Sequence, residues 1–189
     1  MYRSHHILRR TNKYWYQDLT NHIVSNKNTL LLGHYKVDMN ASYQMNNRKL
    51  QTDNNTTAFE MVDMDMNTLS YEVKTYFPSC IGSEYIVGIQ GAKKTNRNHK
   101  APNHVIPDAN VDDFSFFGLI QKTFFAKLNT QAGVRYDYRY ISTVGETNKD
   151  AVNNDFGNVS VSLGSTYELN KAFLLRANLA SAYRTPNIA

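Results

Sequence analysis

The stretch that decides the fold is Leu128–Ile141, with the sequence LNTQAGVRYDYRYI. Its residues alternate between two sides with a period of two, which is the pattern of a β-strand. One side carries Leu128, Thr130, Ala132, Val134, Tyr136, Tyr138 and Tyr140, and the other carries Asn129, Gln131, Gly133, Arg135, Asp137 and Arg139. The run is about fourteen residues long, whereas strands of globular proteins have about five or six. A long strand with tyrosines gathered at one end is typical of a strand that crosses a bilayer.

About eight segments of the chain are predicted to be strands. The clearest alternation is found in Leu30–Met45, where an apolar side and a polar side are fully separated from Tyr35 onward. The predicted strands are Lys13–Val24, Leu30–Met45, Ala58–Phe77, Ser83–Ala92, Val111–Phe125, Leu128–Ile141, Val159–Tyr167 and Phe173–Tyr183. The third strand contains Asp63 and Asp65 in its first half, which is too acidic for lipid and is expected to project beyond it.

The predicted connections alternate between short and long. Short turns are predicted at Ser25–Thr29, Pro78–Gly82, Ala126–Lys127 and Leu169–Lys171, and long loops at Asn46–Thr57, Lys93–Asn110 and Ser142–Asp155. An up-and-down meander with all long loops at one rim produces this alternation. Aromatic residues lie near both rims: Phe77, Phe125, Tyr167 and Phe173 beside the short turns, and Tyr43, Tyr138, Tyr140 and Tyr183 beside the long loops. The prediction is an all-β fold, an antiparallel up-and-down transmembrane β-barrel segment of about eight strands.

Composition is compatible with this prediction and excludes several others. The chain has 189 residues, of which 41% are hydrophobic, and it contains 13 Tyr and 9 Phe. No apolar run is long enough for a transmembrane helix, and the mean hydropathy of -0.54 fits strands with one polar side. The net charge of +5 comes from scattered basic residues and not from a basic stripe, so no nucleic-acid partner is expected. Cys80 is the one cysteine, which excludes a disulfide framework.

No catalytic constellation and no cofactor site are expected. The sequence has no nucleophile in a Gly-x-Ser-x-Gly elbow, so the protein is predicted not to be an enzyme. His99 and His104, with Asp108 after them, lie in a predicted loop and suit either metal or chelate binding or simple solvation. The solvated alternative is preferred, and no metal ligand is assigned. Met1–Asn12 has no apolar segment, so no secretory signal is expected there.

Three motifs carry a resemblance to a known family. Tyr183-Arg184-Thr185-Pro186-Asn187, preceded by the hairpin and strand from Asn170, resembles the late-barrel signature of TonB-dependent outer-membrane receptors. Gln131–Tyr138, with the sequence QAGVRYDY, is similar to a preceding strand of that family, and Ala41–Lys49 is similar to an earlier strand of its ferric-chelate members. The resemblance covers most of 30–189. The whole chain, 1–189, is therefore expected to be one part of a receptor β-barrel domain.

The resemblance implies a function and a set of partners. Such receptors have a barrel of roughly twenty-two strands, an N-terminal plug and a TonB box, and neither plug nor TonB box is recognisable here. The implied partners are outer-membrane lipid, the receptor's own plug and remaining strands, the TonB complex through an N-terminal segment, and a scarce nutrient such as an iron-siderophore chelate. The implied location is the outer membrane of a Gram-negative type of cell.

Charged residues on the polar sides of the predicted strands are the candidate site. They are expected to face the barrel lumen, where they would contact the plug or line the substrate route. The set consists of Lys36, Asp38, Glu72, Lys74, Arg135, Asp137, Arg139, Arg176 and Arg184, and the family motif adds Tyr183, Pro186 and Asn187.

One alternative fold stays open from the residues alone. A soluble lipocalin-like barrel also has eight up-and-down strands and binds a ligand inside. In that fold the polar side of Leu30–Met45 would face solvent, and the tyrosines would line the cavity.

Overall fold

The computed structural model describes residues 2–4, 16–51, 61–99, 104–145, 150–183 and 185–186. These residues form one antiparallel sheet of nine strands, in which each strand pairs with its neighbours in chain order. The strands are β1 Tyr2–Ser4, β2 Tyr16–Leu32, β3 Tyr35–Gln51, β4 Val62–Tyr76, β5 Ser83–Asn98, β6 Ala109–Phe124, β7 Leu128–Thr143, β8 Asn153–Asn170 and β9 Phe173–Ala180. Among the described residues, no helix has the length and apolarity needed to cross a membrane. The predicted all-β up-and-down fold is confirmed.

The first hairpin differs from the prediction. Ser25–Thr29 is not a turn but lies inside β2, and the chain reverses instead at Gly33–His34. Gly33 has φ +62°, which suits the first central position of a two-residue hairpin turn. The prediction failed because the polar run Ser25–Thr29 has the composition of a turn, whereas the true turn consists of two residues, Gly33 and His34. Leu30–Met45 is therefore the end of β2, a turn and most of β3.

The strands also run further toward the long connections than predicted. β3 continues to Gln51 and β5 to Asn98, so the predicted loop Lys93–Asn110 shrinks to 99–108. The loop Ser142–Asp155 likewise shrinks to 144–152. β9 ends at Ala180 and not at Tyr183. The predicted residues 13–15 and 52–60 lie outside the described residues.

The strand register gives the sheet two faces of opposite character. Met39, Val73, Ile89, Phe116, Tyr136 and Val159 form one row across the sheet, on what we call the apolar face. The adjacent row, on the polar face, consists of Asn40, Glu72, Gln90, Ser115, Asp137 and Asn158. Side chains on the apolar face are open to the surroundings: Val134 is 52% exposed and Val159 is 59% exposed. This face has no protein partner among the described residues.

Near the long connections the two faces exchange character. The most buried apolar side chains of the described residues lie there on the continuation of the polar face, at 1–6% exposure: Val62, Met64, Ala109, Val111 and Ile141. The apolar face becomes polar at the same level, with Asn47 opposite Asp65 and Lys49 opposite Asp63. We call this region the inverted rim. Its polar outer side is unsuited to lipid, so the strands extend beyond the apolar band.

Aromatic residues mark both limits of the apolar face. Tyr43 and Tyr140 lie in one row, which also holds the Lys93–Asp112 ion pair at 3.5 Å. At the opposite end, the rings of Tyr35 and Phe77 meet edge to face with their centroids 5.6 Å apart. The two predicted aromatic groups therefore lie at opposite ends of the strands.

Candidate functional site

The centre of the polar face holds a closed polar network around Arg135. Its Nε donates to Asp137 Oδ1 at 2.7 Å, its Nη2 to Ser115 Oγ at 2.7 Å, and its Nη1 to Gln90 Oε1 at 3.2 Å. Ser115 Oγ in turn donates to Asp137 Oδ1 at 2.6 Å. The guanidinium also lies 5.9 Å from the ring centroid of Phe117. Three adjacent strands, β5, β6 and β7, are thereby linked through one guanidinium.

A second cluster lies one step closer to the inverted rim. Arg139 binds Asp113 through both of its forked nitrogens, Nε to Oδ1 and Nη2 to Oδ2, the latter at 3.0 Å. Lys94 Nζ approaches the same carboxylate at 3.4 Å. A bidentate pair of this kind fixes direction as well as distance. Asp113 was not among the predicted site residues, although the alternation of Val111, Asp113 and Ser115 against Asp112 and Phe114 would have placed it on the polar side.

The predicted residues of β3 and β4 form two smaller pairs. Lys36 Nζ lies 3.1 Å from Asp38 Oδ2, and Asp38 Oδ1 accepts a 2.7 Å hydrogen bond from Thr29 Oγ1. Lys74 Nζ lies 2.8 Å from Glu72 Oε1. Each pair joins residues two apart on one strand, which share a face because of the β period.

The last predicted residues are more loosely placed. Arg176 lies on the polar face of β9 at the edge of the described sheet, opposite Thr166, and the structure does not bring it to the other clusters. Arg184 and Asn187 lie outside the described residues. Tyr183 and Thr185 border a hollow of about 380 Å³ together with Arg139, and Arg139 Nη1 donates to Pro186 O at 3.4 Å. Tyr183, Thr185 and Pro186, which follow β9, therefore lie close to the Arg139 cluster.

Basic groups outnumber acidic groups on this face. The described strands place eight basic residues on this face, Lys27, Lys36, Arg48, Lys74, Lys94, Arg135, Arg139 and Arg176, and six acidic residues, Asp38, Glu72, Glu84, Asp113, Asp137 and Glu168. Asp38, Glu72, Asp113 and Asp137 each have a cationic partner within 3.5 Å. A second hollow, of about 520 Å³, extends over β4 to β8 and is bordered by Phe117 and Leu119. The surface therefore offers positive charge, hydroxyl groups and a small apolar floor.

The histidine group proposed from sequence is not assembled as a metal site. His99 Nε2 lies 2.8 Å from Asp65 Oδ2, whereas Asp108 Oδ1 accepts from the Asn98 backbone N–H at 2.7 Å. No group of three or more His, Cys, Asp and Glu residues that could hold a metal occurs in the described part of the chain. The hydrogen bond to Asp65 raises the pKa of His99 above its ordinary value of 6.5.

These features define a class of protein. An antiparallel meander with an uncovered apolar face, aromatic residues at both limits and a charged opposite face is the wall of a transmembrane β-barrel. A family model described as TonB dependent receptor-like, beta-barrel, matches residues 2–189, and the chain belongs to this family. The resemblance found in the sequence is confirmed, and the lipocalin-like alternative is set aside. Members are outer-membrane transport proteins and not enzymes. Neither the curated proteins nor the solved structures gave a match to this chain.

Proposed function

We propose that this chain is part of the barrel wall of an outer-membrane receptor that imports a scarce nutrient as a chelate, with iron-siderophore complexes as the favoured class. The observation that supports this most is the division of the sheet into an uncovered apolar face and a face of paired charges. In the proposal the apolar face contacts lipid and the polar face lines the lumen.

The exposed apolar face supports contact with lipid. Val161 and Leu163 are 54% and 52% exposed, and they continue the face that Val134 and Val159 define. An apolar surface that extends over this many strands exceeds the few hundred Å² that soluble monomers tolerate. Hydrocarbon is the surrounding in which such a face is stable.

The charged clusters support contact with a plug. A plug that fills the lumen must hydrogen-bond to the wall through groups that are already oriented. The Arg135 and Arg139 clusters provide such groups, because their ion pairs hold the guanidinium planes in place. Tyr183 and Thr185 border the same hollow as Arg139, and in this proposal they contact the plug or the passing substrate.

The excess of basic groups supports an anionic cargo. Ferric complexes of carboxylate and catecholate chelators carry negative charge, and a positive wall attracts them over about a Debye length. In this proposal the plug supplies the N-terminal segment that the TonB complex pulls on, and the proton-motive force drives release of the substrate.

Uptake measurements in cells test the proposal. A strain lacking the receptor is complemented with the wild-type gene and given a panel of radiolabelled ferric chelates. At least one chelate should accumulate only in the complemented strain, and an uncoupler should abolish its uptake.

Two variants link that uptake to the polar face. Arg139→Ala removes the bidentate partner of Asp113, which keeps Lys94, and should reduce uptake at unchanged receptor abundance. Lys122 lies near the short turns on the apolar face, so Lys122→Ala should leave uptake unchanged. Uncoupler-resistant accumulation, or no receptor-dependent chelate at all, would count against this function.

A further inference from the structure

A patch of apolar side chains interrupts the centre of the polar face. Ile86, Phe117 and Leu119 lie on this face by the strand register. On β6 the neighbouring positions of the same face are polar, Ser115 and Gln121. The three apolar side chains are half-buried and border the hollow of about 520 Å³. They lie on the side away from the apolar face and outside the inverted rim, so the patch needs an explanation of its own.

The ring of Phe117 lies flat on the sheet. Phe117 pairs with Gly88 on β5, and a Cβ atom at that glycine would be closest to Cζ of the ring and 2.9 Å from both Cε atoms. Such an atom would lie over one face of the ring and not beside its edge. That face therefore rests on Gly88, which is buried beneath it, and the opposite face borders the hollow.

A second glycine lowers the floor of the hollow in the same way. Gly133 on β7 pairs with Leu119, and a Cβ atom there would lie 2.6 Å from Cδ2 of Leu119 and 2.9 Å from Oγ of Ser162. Leu119 therefore spreads over Gly133. A glycine within a strand often marks a place where another group approaches closely. Here two of them let a ring and a leucine side chain lie down on the sheet as an apolar floor.

Polar groups surround this floor. The charged side chains that line the hollow are Lys74, Arg135 and Glu72. Its hydroxyl groups belong to Ser160, Ser162 and Ser181. The guanidinium group lies 5.9 Å from the ring centroid of Phe117. A ligand that matches two cations, one carboxylate and three hydroxyl groups around an apolar floor has a flat apolar face and oxygen atoms at its edge.

We propose that this hollow is a binding site for a planar aromatic ring that carries oxygen substituents. The proposal rests on the chelate import proposed above, and it means that the receptor favours chelates built from such rings, as catecholates are, over chelates without rings. A ring stacks in an offset arrangement on the free face of Phe117, and the cations attract its oxygen atoms. The volume of about 520 Å³ is within the range of about 300–1,000 Å³ of small-molecule sites.

Phe117 is then a residue that determines specificity. A side chain of the plug is the competing occupant of the hollow. Contact with the plug would not distinguish one chelate from another, because every chelate passes the same plug. The two occupants therefore differ in what they predict for chelates with and without rings.

A titration with a small aromatic probe tests the site directly. The receptor is labelled with fluorinated phenylalanine and studied in micelles by fluorine nuclear magnetic resonance, with the Phe117 signal assigned from its loss in Phe117→Leu. Catechol should shift this signal saturably, because a stacked ring changes the local magnetic field, whereas cyclohexanediol has no aromatic ring and should shift it little. The signal of Phe116, on the apolar face, should not respond to either probe. Equal responses to the two probes, or no saturable response to catechol, would overturn the proposal.

Uptake of two ferric chelates tests the specificity. Phe117→Leu keeps an apolar side chain but removes the ring, so it should lower uptake of a ferric catecholate about three- to tenfold and leave uptake of a ferric hydroxamate unchanged. Phe116→Leu is the matched control and should change neither. Gly88→Ala pushes the ring of Phe117 off the sheet and should also lower catecholate uptake, whereas Gly118→Ala, with open space around it, should not.

The outcomes separate this site from the import function itself. Equal losses of both chelates in Phe117→Leu would indicate plug contact and refute the ring site. Import of the hydroxamate without the catecholate would refute the ring site and leave chelate import standing. If no chelate is imported, the import function fails, and the catechol titration alone decides whether the hollow binds a ring.

Discussion

Single residues on adjacent positions of one strand have opposite surroundings in this sheet. Asp112 and Asp113 illustrate the contrast. Asp112 pairs with Lys93 at 3.5 Å, and the two side chains are 45% and 60% exposed. Asp113 binds Arg139 in bidentate fashion, and both side chains are about 20% exposed. A carboxylate on the polar face is therefore expected to contribute more to the stability of the fold than a carboxylate on the apolar face.

The first prediction uses this pair. Asp113→Ala leaves Arg139 and Lys94 without their shared carboxylate and should lower the free energy of unfolding by about 1–3 kcal/mol. Asp112→Ala should change it by less than about 1 kcal/mol, because exposed ion pairs contribute little. Urea titrations of the receptor in lipid bilayers give both values. Equal losses would show that the two faces are equally hydrated.

The second prediction concerns which face contacts lipid. Met39 lies on the apolar face and Asn40 on the polar face. Met39→Arg should cost on the order of 2–4 kcal/mol near the bilayer midplane, whereas Asn40→Arg should be nearly neutral. Folding titrations in bilayers measure the difference, and similar costs at the two positions would contradict the proposed orientation.

A third prediction rests on close packing at Gly91. A Cβ atom there would lie 2.4 Å from the ring of Tyr71 and 2.8 Å from the backbone oxygen of Asp113. The ring can move but the backbone cannot, so Gly91→Ala should destabilise the fold by about 1–3 kcal/mol. Gly118→Ala, with nothing within 4 Å, is the matched control and should be neutral or slightly stabilising. If Gly91→Ala left the free energy of unfolding unchanged, β5 and β6 would have to separate easily at this position.

Whole strands were predicted more reliably than their ends. The alternation of Tyr35–Met45 and Leu128–Tyr140 follows from one lipid face and one polar face, and both segments lie within single strands. The strand ends were not predicted because the two faces exchange apolar and polar residues at the inverted rim, although the backbone pairing of the strands continues there. Loop-like composition at Asn46–Gln51 therefore lies in a paired strand.

The fourth prediction concerns the link between the β5–β6 connection and β4. His99 lies 2.8 Å from Asp65, and this hydrogen bond raises its pKa above 6.5. A raised pKa means that the link contributes fully below the ordinary pKa and is lost as pH rises through the higher, folded value. Nuclear magnetic resonance of histidine-labelled receptor should give a His99 midpoint above 6.5. Asp65→Asn should lower that midpoint, and Asp112→Asn should not; an unchanged midpoint in Asp65→Asn would disprove the link.

The molecule as a whole is a sheet with an uncovered face and, among the described residues, two edges, β1 and β9. The fifth prediction follows: expressed without detergent, this chain should not yield a soluble monomer, because apolar surface and free strand edges both drive association. Size-exclusion chromatography with and without detergent is the measurement. A sharp monomer peak in plain buffer, with cooperative unfolding, would argue against a membrane wall.

The candidate site could be predicted in part for a physical reason. Period-two alternation places Lys36, Asp38, Glu72, Arg135 and Arg139 on one face, and the structure does so too. Partners across strands depend on register, which a single sequence does not specify. Asp113 and the contact of Phe117 with Gly88 therefore emerged only from the structure.

The inverted rim has a consequence for the surrounding bilayer. From Tyr35 to Tyr43 the apolar face of β3 spans roughly 20 Å along the membrane normal, at about 3.3 Å per residue and a tilt of about 40°. Beyond it stand Asn47 and Lys49, which cannot enter hydrocarbon without loss of hydration. The apolar band of the protein therefore cannot widen to match a thicker membrane. Lipids with long acyl chains must compress where they contact this band. Neighbouring lipids with short chains are expected to gather around this wall, since each ångström of mismatch carries a small elastic cost.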